Sequence, residues 1–122
     1  MAIKPLVMLV DDDEDVLKLC RRILEPAGFE VRTYDNCNSA TAAINHDEVA
    51  YDILISDSSL SQHFEAGYID NKVIAASKEK HPNVPVISIS GYPTKPNLSN
   101  VHLNKPFLPN ELLELIRVQL KR

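Results

Sequence analysis

The sequence predicts an α/β fold: a doubly wound parallel sheet of five strands in the order 2-1-3-4-5, with helices on both faces. Two observations carry that class. Short apolar runs alternate along the chain with stretches of helical period, and parallel neighbours need such crossover connections, which are right-handed. Four of the runs also end in residues with chemistry to offer: Leu6 to Val10 into Asp11 and Asp12, Ile53 to Ser56 into Asp57, Val86 to Ile89 into Ser90, and Val101 to Leu103 shortly before Lys105. In an open parallel sheet all strand C-terminal ends share one edge, so these residues converge on one crevice, at the switch point between the first and third strands.

Each element has its own signal. After the first strand, Val16, Leu17, Cys20, Ile23, Leu24 and Ala27 recur at three- and four-residue intervals, as one buried helix face requires, and Gly28 ends that helix. A short strand at Val31 to Tyr34 leads to a small helix from Ser39 to His46, with Ser39 as its N-terminal cap and Ala40, Ala43 and Ile44 turned inward. Beyond the third strand, Ile53 to Ser56, a polar loop runs through Gly67. It meets a helix from Tyr68 to Lys80 that buries Ile69, Val73, Ile74 and either Ser77 or Ala76, and His81 and Pro82 stop it. After the fourth strand, Val86 to Ile89, the prolines Pro93 and Pro96 and the turn formers Asn97, Ser99 and Asn100 predict a loop with space for at most a helical turn. Val101 to Leu103 is the fifth strand. Pro109 suits the first position of a last helix reaching Lys121, with Leu112, Leu113, Ile116 and Leu120 inward.

Composition bounds the function class. The 122 residues fit one domain, 1–122, with no room for a second core. A net charge of −4, with only Lys18, Arg21 and Arg22 as a short basic cluster, argues against nucleic acid as a partner. No apolar stretch approaches the roughly 20 residues that span a bilayer, and Met1 to Pro5 lacks a signal-peptide core, so the expected location is cytoplasmic, away from any membrane. Cys20 and Cys37 have no metal-type spacing and read as a core thiol and a loop thiol.

The edge residues make a coherent chemistry. Carboxylates from Asp11, Asp12 and Asp57 would repel by roughly 4 kcal/mol per close pair at an effective dielectric near 20. A cation is the remedy, and a few hard oxygen ligands with space for water suit magnesium. An aspartate beside a divalent cation, with an ammonium and a hydroxyl converging on it, can attack phosphorus and hold an acyl phosphate. Lys105 and the cation would neutralise phosphoryl oxygens while the Ser90 hydroxyl donates to one of them. Singly, each residue has a plainer reading: Asp11 to Asp15 as a solvated acidic turn, Asp57 and Ser90 as strand-end caps, Lys105 as a loop lysine.

Taken together, Val10-Asp11-Asp12, Asp57 after Ile-Leu-Ile-Ser, Ser90-Gly91 and Lys105-Pro106-Phe107 resemble the response-regulator receiver domain of two-component signalling over essentially the whole chain. The resemblance implies the flavodoxin-like strand order and Asp57 as phosphoacceptor. It implies magnesium held by Asp12, Asp57 and the Ser59 carbonyl, with Asp11 acting mainly through a bound water. Ser90 becomes the switch hydroxyl and Lys105 the lysine that pairs with the phosphoryl group. A cis Lys105–Pro106 peptide is also implied. His102 stands where the family commonly has a Tyr or Phe rotamer switch. Only fifteen positions separate Ser90 from Lys105, so the helix between the last two strands is reduced or absent, and Ser90-Gly91-Tyr92 resembles the subgroup with a Thr/Ser-Gly-Tyr switch motif.

The expected function is a phosphoacceptor that receives its phosphoryl group from a histidine kinase or histidine phosphotransfer protein and turns over no small molecule. It is expected to stand alone or to be a receiver from a hybrid kinase, as a monomer or weak dimer that does not use the reduced helix. An aspartyl-phosphate hydrolase is the enzymatic rival, although Ser59 stands where such enzymes have a second Asp. The other rival is a degenerate receiver that only scaffolds a partner.

Overall fold

The computed structural model describes residues 4–57, 72–91 and 101–121. Within them the chain runs β1 (Leu6–Val10), α1 (Glu14–Leu24), β2 (Glu30–Tyr34), α2 (Cys37–Asn45), β3 (Ile53–Asp57), α3 (Lys72–Lys80), β4 (Val86–Ser90), β5 (Val101–Asn104) and α4 (Pro109–Leu120). The strands form one five-stranded parallel sheet in the expected order, β2-β1-β3-β4-β5.

Period two divides the strand side chains between two cores. Val7, Leu9, Ile53, Ile55, Ile87, Ile89 and Leu103 face α1 and α4, where Leu17, Cys20, Leu24, Leu112 and Ile116 meet them. Met8, Val10, Leu54 and Val86 face α2 and α3, against Ala40, Ala43, Ile44, Val73 and Ile74. Each large aliphatic side chain removed from water in these layers contributes about 1.5–3 kcal/mol. Ser77 rather than Ala76 is the fully buried choice on α3.

The helix ends show where sequence signals compete. α1 stops at Leu24, short of Ala27, because Pro26 cannot donate to a helical ladder, although Glu25 before it keeps helical backbone and donates to the Arg21 carbonyl at 2.9 Å. The chain then turns through Gly28 at φ +100°, while the Phe29 N–H returns to the Leu24 carbonyl at 3.2 Å. α2 begins two residues before Ser39, and its cap is Asn36, whose extended backbone lets the side chain accept from the Ser39 N–H at 2.8 Å. α4 opens with Pro109 at its first position, and Glu111 reaches back to accept from the Leu108 N–H at 2.7 Å.

Some expectations lie outside the described residues: the loop through Gly67, the start of the Tyr68 helix with Ile69, the Ser59 carbonyl, and residues 92–100 with the reduced helix. Among the described residues no helix is long and apolar enough to cross a membrane. Cys20 is buried and Cys37, the first residue of α2 rather than a loop thiol, is half-buried; neither is in a disulfide.

Candidate functional site

Asp11 follows β1 directly and is fully buried. Two backbone contacts fix it: its N–H donates to the Tyr34 carbonyl at 3.1 Å, and its Oδ1 accepts from the Asp13 N–H at 2.9 Å. Asp13 in turn caps α1 by accepting from the Asp15 N–H at 2.9 Å, so the acidic turn is partly a helix start, as its plainer reading required. Asp12 between them is exposed.

Asp57 ends β3, one residue further into the ladder than the apolar run implied, because it pairs in register with Ile89. It is 1% exposed. Asp11, Asp12 and Asp57 each bring a carboxylate oxygen within 4.8 Å of the others.

Lys105 closes the crevice from the far side of the sheet. Its Nζ lies 2.7 Å from Asp11 Oδ2 and 3.2 Å from Asp57 Oδ2, so the loop-lysine reading is set aside. The backbone holds it as firmly as the charges do: the Lys105 N–H donates to the Ser90 carbonyl at 2.7 Å, tying the end of β4 to the residue that follows β5. Ser90 is itself fully buried and paired in register with Asn104. The Lys105–Pro106 peptide is cis, as the resemblance implied.

The electrostatics follow from burial. Burial pushes the Asp11 carboxyl from 3.8 up to about 6; the Lys105 and Asp13 hydrogen bonds pull it down, and the Asp57 charge pushes it up again. Burial by itself would lower the Lys105 ammonium, yet the Asp11 hydrogen bond and the charges of Asp57 and Asp11 outweigh it and raise the group. Among the described residues the Lys105 ammonium bonds to two of the three carboxylates, Asp11 and Asp57, so the cluster has an excess of negative charge for a cation to offset. Hard oxygen donors of this number fit a small divalent cation such as magnesium and not a soft transition metal. Beneath the site, burial first and then the Asp11 charge push the Cys20 thiol up to about 12, so it stays an unreactive core group.

The family model described as the response regulator receiver domain matches residues 7–117, and the chain belongs to that family, the phosphoacceptor switches of two-component signalling. The nisin biosynthesis regulatory protein NisR of Lactococcus lactis subsp. lactis is 24% identical over 123 residues, which are 95% of this chain and 50% of that protein. The C4-dicarboxylate transport transcriptional regulatory protein DctD of Rhizobium meliloti is 27% identical over 124 residues, 96% of this chain and 25% of that protein. The chain therefore spans half or less of these curated relatives. In fold it is similar to a CheY-like response regulator receiver domain protein from Methanospirillum hungatei JF-1, at a TM-score of 0.82 and 22% identity, covering 97% of this chain and 94% of the other.

Sequence reasoning missed one group beside the site. Ser88, inside β4, accepts or donates at 2.7 Å to Nδ1 of His102, whose Nε2 lies 3.1 Å from Asn104 Oδ1. The only sequence signal was a serine at a strand position of the same face as aliphatic neighbours.

Proposed function

We propose that this chain takes a phosphoryl group from a phosphohistidine, on a histidine kinase or histidine phosphotransfer protein, onto Asp57, and works as a magnesium-dependent switch in the cytoplasm without turnover of a small molecule. The observation that carries the reading is the Lys105 ammonium seated between the carboxylates of Asp11 and Asp57.

The Asp57 carboxylate supplies the oxygen that attacks phosphorus while the bond to the imidazole nitrogen breaks, giving an acyl phosphate. Lys105, already 3.2 Å from that carboxylate, pairs with the arriving phosphoryl oxygens. The Ser90 hydroxyl is the donor for another of those oxygens, and the Ser90 carbonyl anchors the Lys105 backbone. Asp11, Asp12 and Asp57, together with the Ser59 carbonyl, would hold magnesium, which supplies positive charge opposite the developing phosphoryl charge. Burial of Asp57 excludes competing water until the donor docks.

Incubation with acetyl phosphate and magnesium, followed by intact mass, tests the reading. One phosphoryl group per chain is expected in the wild type and none in Asp57→Asn. An Asp57→Asn protein that gained the same mass would remove Asp57 from its role.

A further inference from the structure

The edge of the sheet opposite the phosphoacceptor carries a cavity of about 380 Å³, within the roughly 300–1,000 Å³ range of small-molecule sites. It lies where β3 and β4 begin and α4 ends, about 16 Å from Asp57 along β3 at ~3.3 Å per residue. Its apolar lining draws on both cores. Val84 packs with the layer beneath α2 and α3, Leu120 packs with the layer beneath α1 and α4, and Pro85 adds a third apolar wall.

The backbone around the cavity is already satisfied. The Asp52 N–H donates to the Leu6 carbonyl at 2.8 Å, and the Val84 and Leu54 N–H groups donate to the His81 and Pro85 carbonyls at 3.1 Å each. What remains for a guest is side-chain chemistry, and its charge has one sign. Among the described residues Asp52 is the single charged group of the lining. Its Oδ2 accepts from the Leu6 N–H at 2.7 Å, which fixes the carboxylate, while Oδ1 accepts no hydrogen bond from a described residue. Lys80 and His81, just ahead of Asn83 in the chain, turn to Asp47 instead, each 3.3 Å from one of its carboxylate oxygens. Tyr51 supplies an aromatic wall next to Asp52. Its hydroxyl is bonded to Ser77 at 2.7 Å, and its ring meets that of His81 edge to face with centroids 5.5 Å apart, so the wall is held in place.

We propose that this cavity binds a small organic cation, an alkylammonium group on a short aliphatic body. Asp52 meets the charge, the Tyr51 ring adds its attraction for a cation, and the carboxamide oxygens of Asn83 and Gln119 accept from the ammonium. The end of α4 acts in the same sense, because its last carbonyls form the negative pole of the helix. Val84, Pro85 and Leu120 cover the hydrocarbon. A metal ion fits worse, since one carboxylate is too few for magnesium or calcium and apolar walls offer a hydrated ion nothing. The inference stands apart from the phosphoacceptor reading, because no residue of that site lines the cavity.

Amide chemical shifts of the full chain, titrated with n-butylammonium chloride, test the site. Saturable shifts at Tyr51, Asp52 and Gln119 are expected, with a midpoint on the order of 1–10 mM for so small a ligand. The same titration with 1-butanol, which lacks the charge, or with ammonium chloride, which lacks the body, should need at least about tenfold more. Asp52→Asn keeps an acceptor for the Leu6 N–H and removes the charge, so its midpoint should rise about tenfold. If that variant fails to fold, Gln119→Lys places an ammonium at the cavity from a half-buried helix position and should block the probe. No saturation by about 50 mM, equal binding of 1-butanol, or an unchanged midpoint in whichever variant folds overturns the proposal. Asp57→Asn should bind the probe as the wild type does, so a failure here leaves the phosphoacceptor role untouched, and the reverse holds as well.

Discussion

Replacing Lys105 with Met would leave the side-chain volume and remove the charge that reconciles two buried carboxylates. The Coulomb attractions at 2.7 and 3.2 Å amount to ~6 and ~5 kcal/mol at an effective dielectric near 20. Much of that repays the dehydration of three ions, and breaking such a buried pair leaves a net loss of about 3–5 kcal/mol. The lower end applies here, because Asp11 can retreat into its protonated form. At pH 8 a loss of ~3 kcal/mol, or about 10 °C in Tm for a domain of this size, is expected in metal-free buffer. The pH dependence is the sharper feature. The Asp11 carboxyl already sits above its ordinary 3.8, at about 6, with the ammonium in place, and without it the group rises further. A carboxyl whose folded-state value is raised costs stability as pH climbs from its unfolded value through the folded one. The deficit of the variant must therefore grow from pH 5 to pH 8. Urea unfolding at both pH values measures it. A loss below ~1 kcal/mol at pH 8, or the same loss at both, would refute the view that Lys105 compensates buried carboxylates.

Magnesium at millimolar concentration should raise the Tm of the wild type and not that of Asp12→Ala, because the cation binds only the folded cluster; calorimetry decides, and equal shifts in both proteins would exclude Asp12 as a ligand. Asn36→Ala should cost ~1 kcal/mol of stability in urea while Ser39→Ala stays near zero, since the cap oxygen belongs to Asn36. Ile55→Ala, fully buried in the core beneath α1 and α4, should lose about 2–5 kcal/mol without altering the magnesium requirement for labelling.

Much of this was readable from residue order alone, for a physical reason. Strands buried on both faces are predominantly apolar, so Val7 to Val10 and Ile53 to Ile55 announce themselves, and parallel order then sends Asp11, Asp57, Ser90 and Lys105 to one edge. Helix ends were less legible. Ser39 and Asn36 are both good caps, and only the extended backbone at Asn36 decides between them. Pro26 shortened α1 although the apolar period continues to Ala27. The Ser88–His102 bond was hidden altogether, because it depends on the lateral register of β4 and β5, which no local pattern encodes. The chemistry of the site was legible as residue types; the sharing of a single ammonium by Asp11 and Asp57 required distances.

The bond between Lys105 and Asp11 joins residues 94 positions apart, across the span from the first strand to the turn after the last. No partly folded chain, lacking either end of that span, can assemble the crevice. Reactivity toward a phosphodonor is consequently a property of the finished sheet, absent from fragments and from any intermediate in which β5 has yet to dock. A population of these molecules should thus report its own folded fraction through the share that can be labelled, and a damaged copy would drop silently out of signalling without sending a false message.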